Sequence, residues 1–170
     1  EDMRHNCVFV GFDRKKVPRY AMLRSSSQYS TFLGEVSGSD KRYSFSLSGS
    51  AETLYVFESA IDCLSFIELQ RMKTDELKPD NYLSLSGVYR PGEGRRTELP
   101  AALQEYLSIN EGIRHIALCL DNDEAGRSAA LAICAALPDK YTAELLPPQS
   151  GKDYNVLLML TKGIPPNIRV

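Results

Sequence analysis

No apolar run in this sequence is long enough to cross a bilayer, so no membrane partner is expected. The opening residues, Glu1-Asp2-Met3-Arg4-His5-Asn6, lack the apolar core of a signal peptide and read as the cut end of a longer protein, so further domains are expected outside this chain. Cysteine is sparse. Cys7, Cys63, Cys119 and Cys134 include no pair spaced as zinc ligands, and each lies in an apolar stretch. They read as small buried residues of a reducing, cytoplasmic protein. The two histidines, His5 and His115, are far apart and stand near no nucleophile pattern, which leaves a hydrolytic triad without support. Positive charge is also short. A net charge of −2 gives the whole chain only a weak pull on nucleic acid, so any such binding must come from local basic patches, a metal, or regions outside this chain. What is present is the composition of a soluble globular domain: 170 residues, 43% hydrophobic and 25% charged, enough for one domain with a small extension.

The pattern along the chain changes near Ser48-Gly49-Ser50, dividing it into residues 1–48 and 49–170. Before the break, residues 7–12, 19–24 and 43–47 read as short strands, the last with period-two alternation. The loop at residues 13–18 suits a hairpin, with Arg14, Lys15 and Lys16 at a solvated tip. This part is expected to be a small antiparallel β extension. After the break, apolar strands at residues 54–57, 82–85, 115–120 and 142–146 alternate with helices at 59–72, 99–107, 124–137 and 153–160. Such alternation predicts an α/β fold, a parallel sheet with flanking helices joined by right-handed crossovers.

In an open parallel sheet, ligands bind beyond the carboxyl ends of the strands. Glu58 follows one predicted strand, and Asp121-Asn122-Asp123-Glu124 follows another. Asp62 lies one helical turn after Glu58 and can share its side. Carboxylates gathered at one sheet edge repel, and a divalent cation is the usual offset. Donors that are all oxygen favour a hard cation, Mg²⁺ first and Mn²⁺ as the alternative. Gly126 lets the following helix start close to whatever fills the site. A lone Asp-Xaa-Asp is more often a solvated turn, and a lone strand-end Glu more often a helix N-terminal charge. The combination carries the argument.

The block Leu54-Tyr55-Val56-Phe57-Glu58-Ser59-Ala60-Ile61-Asp62 resembles the glutamate motif of the Toprim (topoisomerase–primase) domain. Leu118-Cys119-Leu120-Asp121-Asn122-Asp123-Glu124-Ala125-Gly126-Arg127 resembles its Asp-Xaa-Asp motif, and Leu83-Ser84-Leu85-Ser86-Gly87 its intervening strand and glycine. Together they span over half the chain. The resemblance implies a Toprim-type parallel sheet for residues 49–170, with Asp121 and Asp123 holding Mg²⁺, Asp62 as an additional ligand, and Glu58 as general acid/base or further ligand. Ser59, where bacterial primases usually carry Gly, and the stretch Gly38-Ser39-Asp40-Lys41-Arg42-Tyr43-Ser44-Phe45 point to the Toprim-like subgroup of bacterial mobile elements and plasmids. Through the same resemblance, Lys41 and Arg42 are candidates for phosphate contact.

Gly151-Lys152 resembles a phosphate-binding loop, but the earlier glycine is missing and Asp153 stands where Ser or Thr is required. Gly151-Lys152-Asp153-Tyr154-Asn155 is instead similar to the ending of the Toprim-like subgroup. Lys152 is expected to reach a phosphate, while Asp153 either joins the acidic cluster or caps a helix. The segment Tyr89-Arg90-Pro91-Gly92-Glu93-Gly94-Arg95-Arg96 reads either as a loop closing on a nucleic-acid backbone through Arg90, Arg95 and Arg96, or as a solvated loop. Three functions remain open. The first is a primase-like nucleotidyltransferase acting on DNA or RNA with nucleoside triphosphates. The second is a Toprim nuclease. The third is a nucleic-acid-binding module with little catalysis.

Overall fold

The structure is a computed structural model that describes residues 3–27, 29–30, 32–74, 79–87, 89 and 98–165. Three strands near the N-terminus, β1 (Cys7–Phe12), β2 (Pro18–Arg24) and β3 (Leu33–Glu35), form an antiparallel sheet in that order. The β1–β2 turn is held by Asp13, whose Oδ1 accepts the N–H groups of Lys15 at 2.8 Å and Val17 at 3.0 Å. A short acidic side chain bonding its own backbone two residues on is the usual device for reversing the chain.

The second sheet has five strands in the order β4 (Ser46–Leu47), β6 (Asn81–Ser84), β5 (Thr53–Phe57), β7 (His115–Leu118) and β8 (Thr142–Leu145). All pairings are parallel except that of β4 with β6. Helices α1 (Ala60–Thr74), α2 (Ala101–Ile109) and α3 (Glu124–Ala136) connect β5 to β6, β6 to β7 and β7 to β8, and α4 (Tyr154–Thr161) closes the chain. The expected α/β architecture is present.

Residues of β5 alternate between two apolar layers, as the pleat requires. Leu54 and Val56 enter one with Leu103, Tyr106, Ile116 and Ile133, from the α2 and α3 side. Phe57 enters the other with Cys63, Phe66 and Tyr154, from the α1 and α4 side, and Tyr55 packs against it. A parallel sheet covered on both faces explains the nearly continuous apolar runs in its sequence. The crossover from β5 goes to β6 on one side, and the crossover from β7 goes to β8 on the other. The ends of β5 and β7 therefore splay their connections apart, which is where an open α/β sheet places its ligand crevice.

Two expectations need correction. Residues 43–47 do not add a third strand to the small sheet. A 3-10 turn at Lys41–Tyr43, whose Asp40 carboxylate accepts the Arg42 N–H at 3.1 Å, interrupts the chain there. Ser44 Oγ then donates to the Ser84 carbonyl, and Ser84 N–H donates to the Phe45 carbonyl at 2.9 Å. These bonds stitch β4 to the main sheet, and β3 takes the third place in the small one. The cysteines also differ: Cys63 and Cys119 are buried, but Cys7 is exposed and Cys134 half-buried. The described residues include no helix long and apolar enough to cross a membrane.

Candidate active site

The end of β5 delivers Glu58, and the end of β7 delivers Asp121 three residues past its last strand residue. Because the two strands are paired neighbours, these acids meet: the Asp121 N–H donates to Glu58 Oε1 at 3.3 Å. Asp123 caps α3, with Oδ1 accepting the Gly126 N–H at 2.9 Å. Gly126 is required at this point. A Cβ there would lie 2.1 Å from the Asp121 carbonyl oxygen, so only glycine lets the helix begin against the acidic loop. From the β6 end, Gly87 donates its N–H to the Glu58 carbonyl at 2.9 Å. Its φ of 127° and the left-handed φ of 57° at Ser86 form a strained turn of the kind concentrated at functional sites.

Lys152 supplies the cation. Its Nζ lies 3.2 Å from Asp121 Oδ2 and 3.3 Å from Asp123 Oδ2. Its carbonyl accepts the Asn122 N–H at 2.7 Å, tying the loop before α4 to the Asp-Asn-Asp loop backbone to backbone. Asp153 caps α4, with Oδ1 accepting the Val156 N–H at 2.7 Å. Asp62 is buried on α1. Its Oδ2 accepts from Ser59 Oγ at 2.5 Å, and its Oδ1 accepts the Asn155 N–H at 3.1 Å. The start of α4 is thus anchored to both acidic elements.

One ammonium pairs with only two of the four carboxylates, and the protonation equilibria reflect it. Burial, then the Asp121 charge, pushes the Glu58 carboxyl up to about 7. Burial pushes Asp62 up to about 6 against the hydrogen bond from Ser59. Asp121 is raised by burial, with Lys152 pulling the other way. Asp123, much more exposed, is lowered by the Gly126 N–H and then by Lys152. Lys152 is itself raised by its hydrogen bond to Asp121.

The structure therefore brings together Glu58, Asp62, Asp121, Asp123, Gly87, Gly126, Lys152 and Asp153 from the β5, β6, β7 and β8 ends. Lys41 and Arg42 are placed differently. Lys41 Nζ pairs with Glu35 at 2.8 Å, and Arg42 pairs with Asp40 at 2.6 Å. Arg90, Arg95 and Arg96 lie outside the described residues. Sequence reasoning named Asn122 and Asn155 within their motifs but gave no role to their backbone N–H groups, which lock the α4 loop onto the site. It passed over Phe9, Tyr20, Met22 and Phe45, which wall a cavity against Glu58 and Asp121. The alternation along β2 was the available signal for Tyr20 and Met22.

The donor set is oxygen only, and the position of Lys152 marks where positive charge is demanded between Asp121 and Asp123. In kind, these residues fit a hard divalent cation. Among the described residues no three acidic, histidine or cysteine side chains are grouped closely enough to hold a metal by themselves, and Lys152 bridges the two aspartates.

No curated protein matches the chain by sequence. Solved structures do match its fold. The primase fragment of the bacteriophage T7 primase-helicase aligns over 92% of this chain and 58% of its own, at a TM-score of 0.58 and 20% identity. A DNA primase domain from Pseudomonas aeruginosa aligns over 94% and 48%, at 0.57 and 15%. The DnaG primase catalytic domain bound to ssDNA aligns over 93% and 48%, at 0.57 and 14%. The chain thus spans about half the length of the primase structures it matches. A family match, described as Toprim-like, covers residues 55–158, from within β5 through most of α4 and including every acidic residue of the site. The chain belongs to the Toprim-like family.

Proposed function

We propose that the chain carries out metal-dependent phosphoryl transfer on nucleic acid, as a primase-like nucleotidyltransferase serving the replication or transfer of bacterial mobile elements. The observation that carries this reading is the contact between Glu58 and Asp121 at the point where the β5 and β7 crossovers diverge. Asp121 and Asp123 would hold Mg²⁺, or Mn²⁺ in its place, with Asp62 as an additional ligand beside its bonds from Ser59 and Asn155. Bound there, the ion would withdraw charge from phosphate oxygens and ease attack on phosphorus. Lys152 would then turn from the aspartates to a phosphate oxygen. Glu58, titrating near 7, would take the proton of an attacking hydroxyl at neutral pH while pyrophosphate leaves. Residues 1–48 would act as an extension that walls the site, residues 49–170 as the Toprim domain, and further domains of a longer protein would complete the enzyme. The ssDNA in one similar primase structure supports DNA as template.

Incubation with single-stranded DNA, nucleoside triphosphates and Mg²⁺ tests the proposal. Short primers are the expected product. Glu58→Gln should reduce their formation by at least about a hundredfold, the usual contribution of a general base, while Mg²⁺ binding measured by calorimetry persists. Cleaved DNA without nucleotides would favour a nuclease instead. DNA binding that survives Glu58→Gln with no product from either protein would overturn the catalytic reading.

A further inference from the structure

Between the small sheet and the acidic strand ends lies a cavity of about 200 Å³. One wall is a single face of the small sheet. Tyr20, Met22 and Arg24 alternate along β2, Phe9 lies opposite Met22 on β1, and Leu33 lies opposite Arg24 on β3. Phe45 stands edge-on to Phe9, with ring centroids 5.7 Å apart. The other end is polar, formed by Glu58, Asp62 and Asp121.

Two features say what would enter. The first is size. A cavity of about 150 Å³ takes one benzene ring, so this one has room for a single heterocycle and not for a stretch of chain. The second is Arg24. Its side chain lines the cavity and is half-buried, yet among the described residues its guanidinium makes no hydrogen bond or ion pair. A guanidinium offers donors only, in a planar fork. It calls for a flat partner with acceptors along one edge, of the kind guanine presents at O6 and N7 and adenine only half presents. Aromatic rings beside a flat heterocycle add sequence-tolerant stacking.

We propose that this cavity is a slot for one nucleobase, guanine ahead of adenine, belonging to a nucleotide whose phosphate lies at the Asp121–Lys152 end. The assignment of a nucleotide rests on the phosphoryl-transfer reading above. The slot makes the N-terminal sheet a specificity element, with Arg24 as the residue that selects the base. The metal is held without it.

The test is calorimetric titration of the full chain, in Mg²⁺, with guanosine 5′-monophosphate, adenosine 5′-monophosphate and ribose 5-phosphate. The base should add about tenfold or more in affinity over ribose 5-phosphate. Arg24→Met keeps the length of the side chain and removes only its donors, so it should lower guanosine monophosphate to the level of the adenosine compound and leave ribose 5-phosphate unchanged. Phe45→Ala should reduce the increment for both bases, with far-UV circular dichroism confirming the fold. Equal binding of ribose 5-phosphate and guanosine monophosphate would overturn the slot, as would Arg24→Met with its guanosine preference intact. The two readings fail separately. A base increment in a chain that makes no primers supports the slot while removing the nucleotidyltransferase. Primer synthesis without a base increment does the reverse.

Discussion

The acids of the small sheet and those of the strand ends are arranged on opposite plans. In the first region each carboxylate among the described residues has its own cation: Asp13 with Arg19 at 2.8 Å, Glu35 with Lys41 at 2.8 Å, and Asp40 with Arg42 at 2.6 Å. Asp13 and Asp40 are lowered from their usual values, first by those arginine hydrogen bonds. In the second region Lys152 pairs with only Asp121 and Asp123 of the four acids, and buried Glu58 and Asp62 and half-buried Asp121 are all raised. The first plan is balanced and solvated, and it holds turns. The second keeps buried negative charge short of positive charge, a cost that a fold retains where function uses it.

The largest expected effect comes from supplying the missing charge. In Mg²⁺ at a hundredfold excess over its Kd, the wild-type chain should gain roughly 2.7 kcal/mol of stability. Asp121→Asn/Asp123→Asn should gain none, and calorimetry should find its saturable binding gone. Neutralising Asp13 and Asp40 together should leave the Mg²⁺ response as it was. A Mg²⁺ response that follows the small-sheet acids instead would erase the distinction between the regions.

Next comes the close approach that builds the acidic loop. Gly126→Ala places a methyl 2.1 Å from the Asp121 carbonyl oxygen, against backbone that cannot turn aside. The cost of such overpacking is about 1–3 kcal/mol, above the helical gain of alanine over glycine, and thermal unfolding should show a net loss. Mg²⁺ affinity should fall with it, because Asp121 moves. A smaller loss belongs to Asp153→Ala, which removes the α4 cap and should cost about 1 kcal/mol. Asp153→Asn should restore most of it, since asparagine caps equally well.

These positions also divide what was legible in the sequence from what was not. Buried parallel strands announce themselves as apolar runs, and the acids that follow β5 and β7 could be named because a parallel sheet sends its strand ends to one edge. Gly126 and the Asp153 cap were legible for similar local reasons. The partner of Asp62 was not, because Asn155 stands 93 positions away and only the docking of α4 on α1 brings them together. The Lys152 bridge depends on a loop held by the Asn122 N–H, a backbone bond that no side-chain pattern encodes. The small sheet was the hardest part. Its third strand is three residues long, too short for a period, and the alternation at residues 43–47 belongs to a segment that crosses to the other sheet.

The smallest effects separate the two plans by sign and by pH, in chelator so that no metal intervenes. Glu58 has a folded value of about 7 against an ordinary 4.5. Its protonated form favours the fold, so stability falls as pH rises from about 4.5 to about 7 and stays low above that. Glu58→Gln should therefore melt above the wild type at pH 8 and lose most of that advantage by pH 5. Asp40 is lowered from 3.8. Its contribution is fully present above that value and is lost only in more acid solution, so Asp40→Asn should melt slightly below the wild type by the same small amount at pH 5 and pH 8. Thermal melts of the three proteins at the two pH values decide the matter. A Glu58→Gln chain less stable than wild type at pH 8 would mean that the strand-end acids are as well balanced as those of the small sheet, and the physical case for a cation there would go with it.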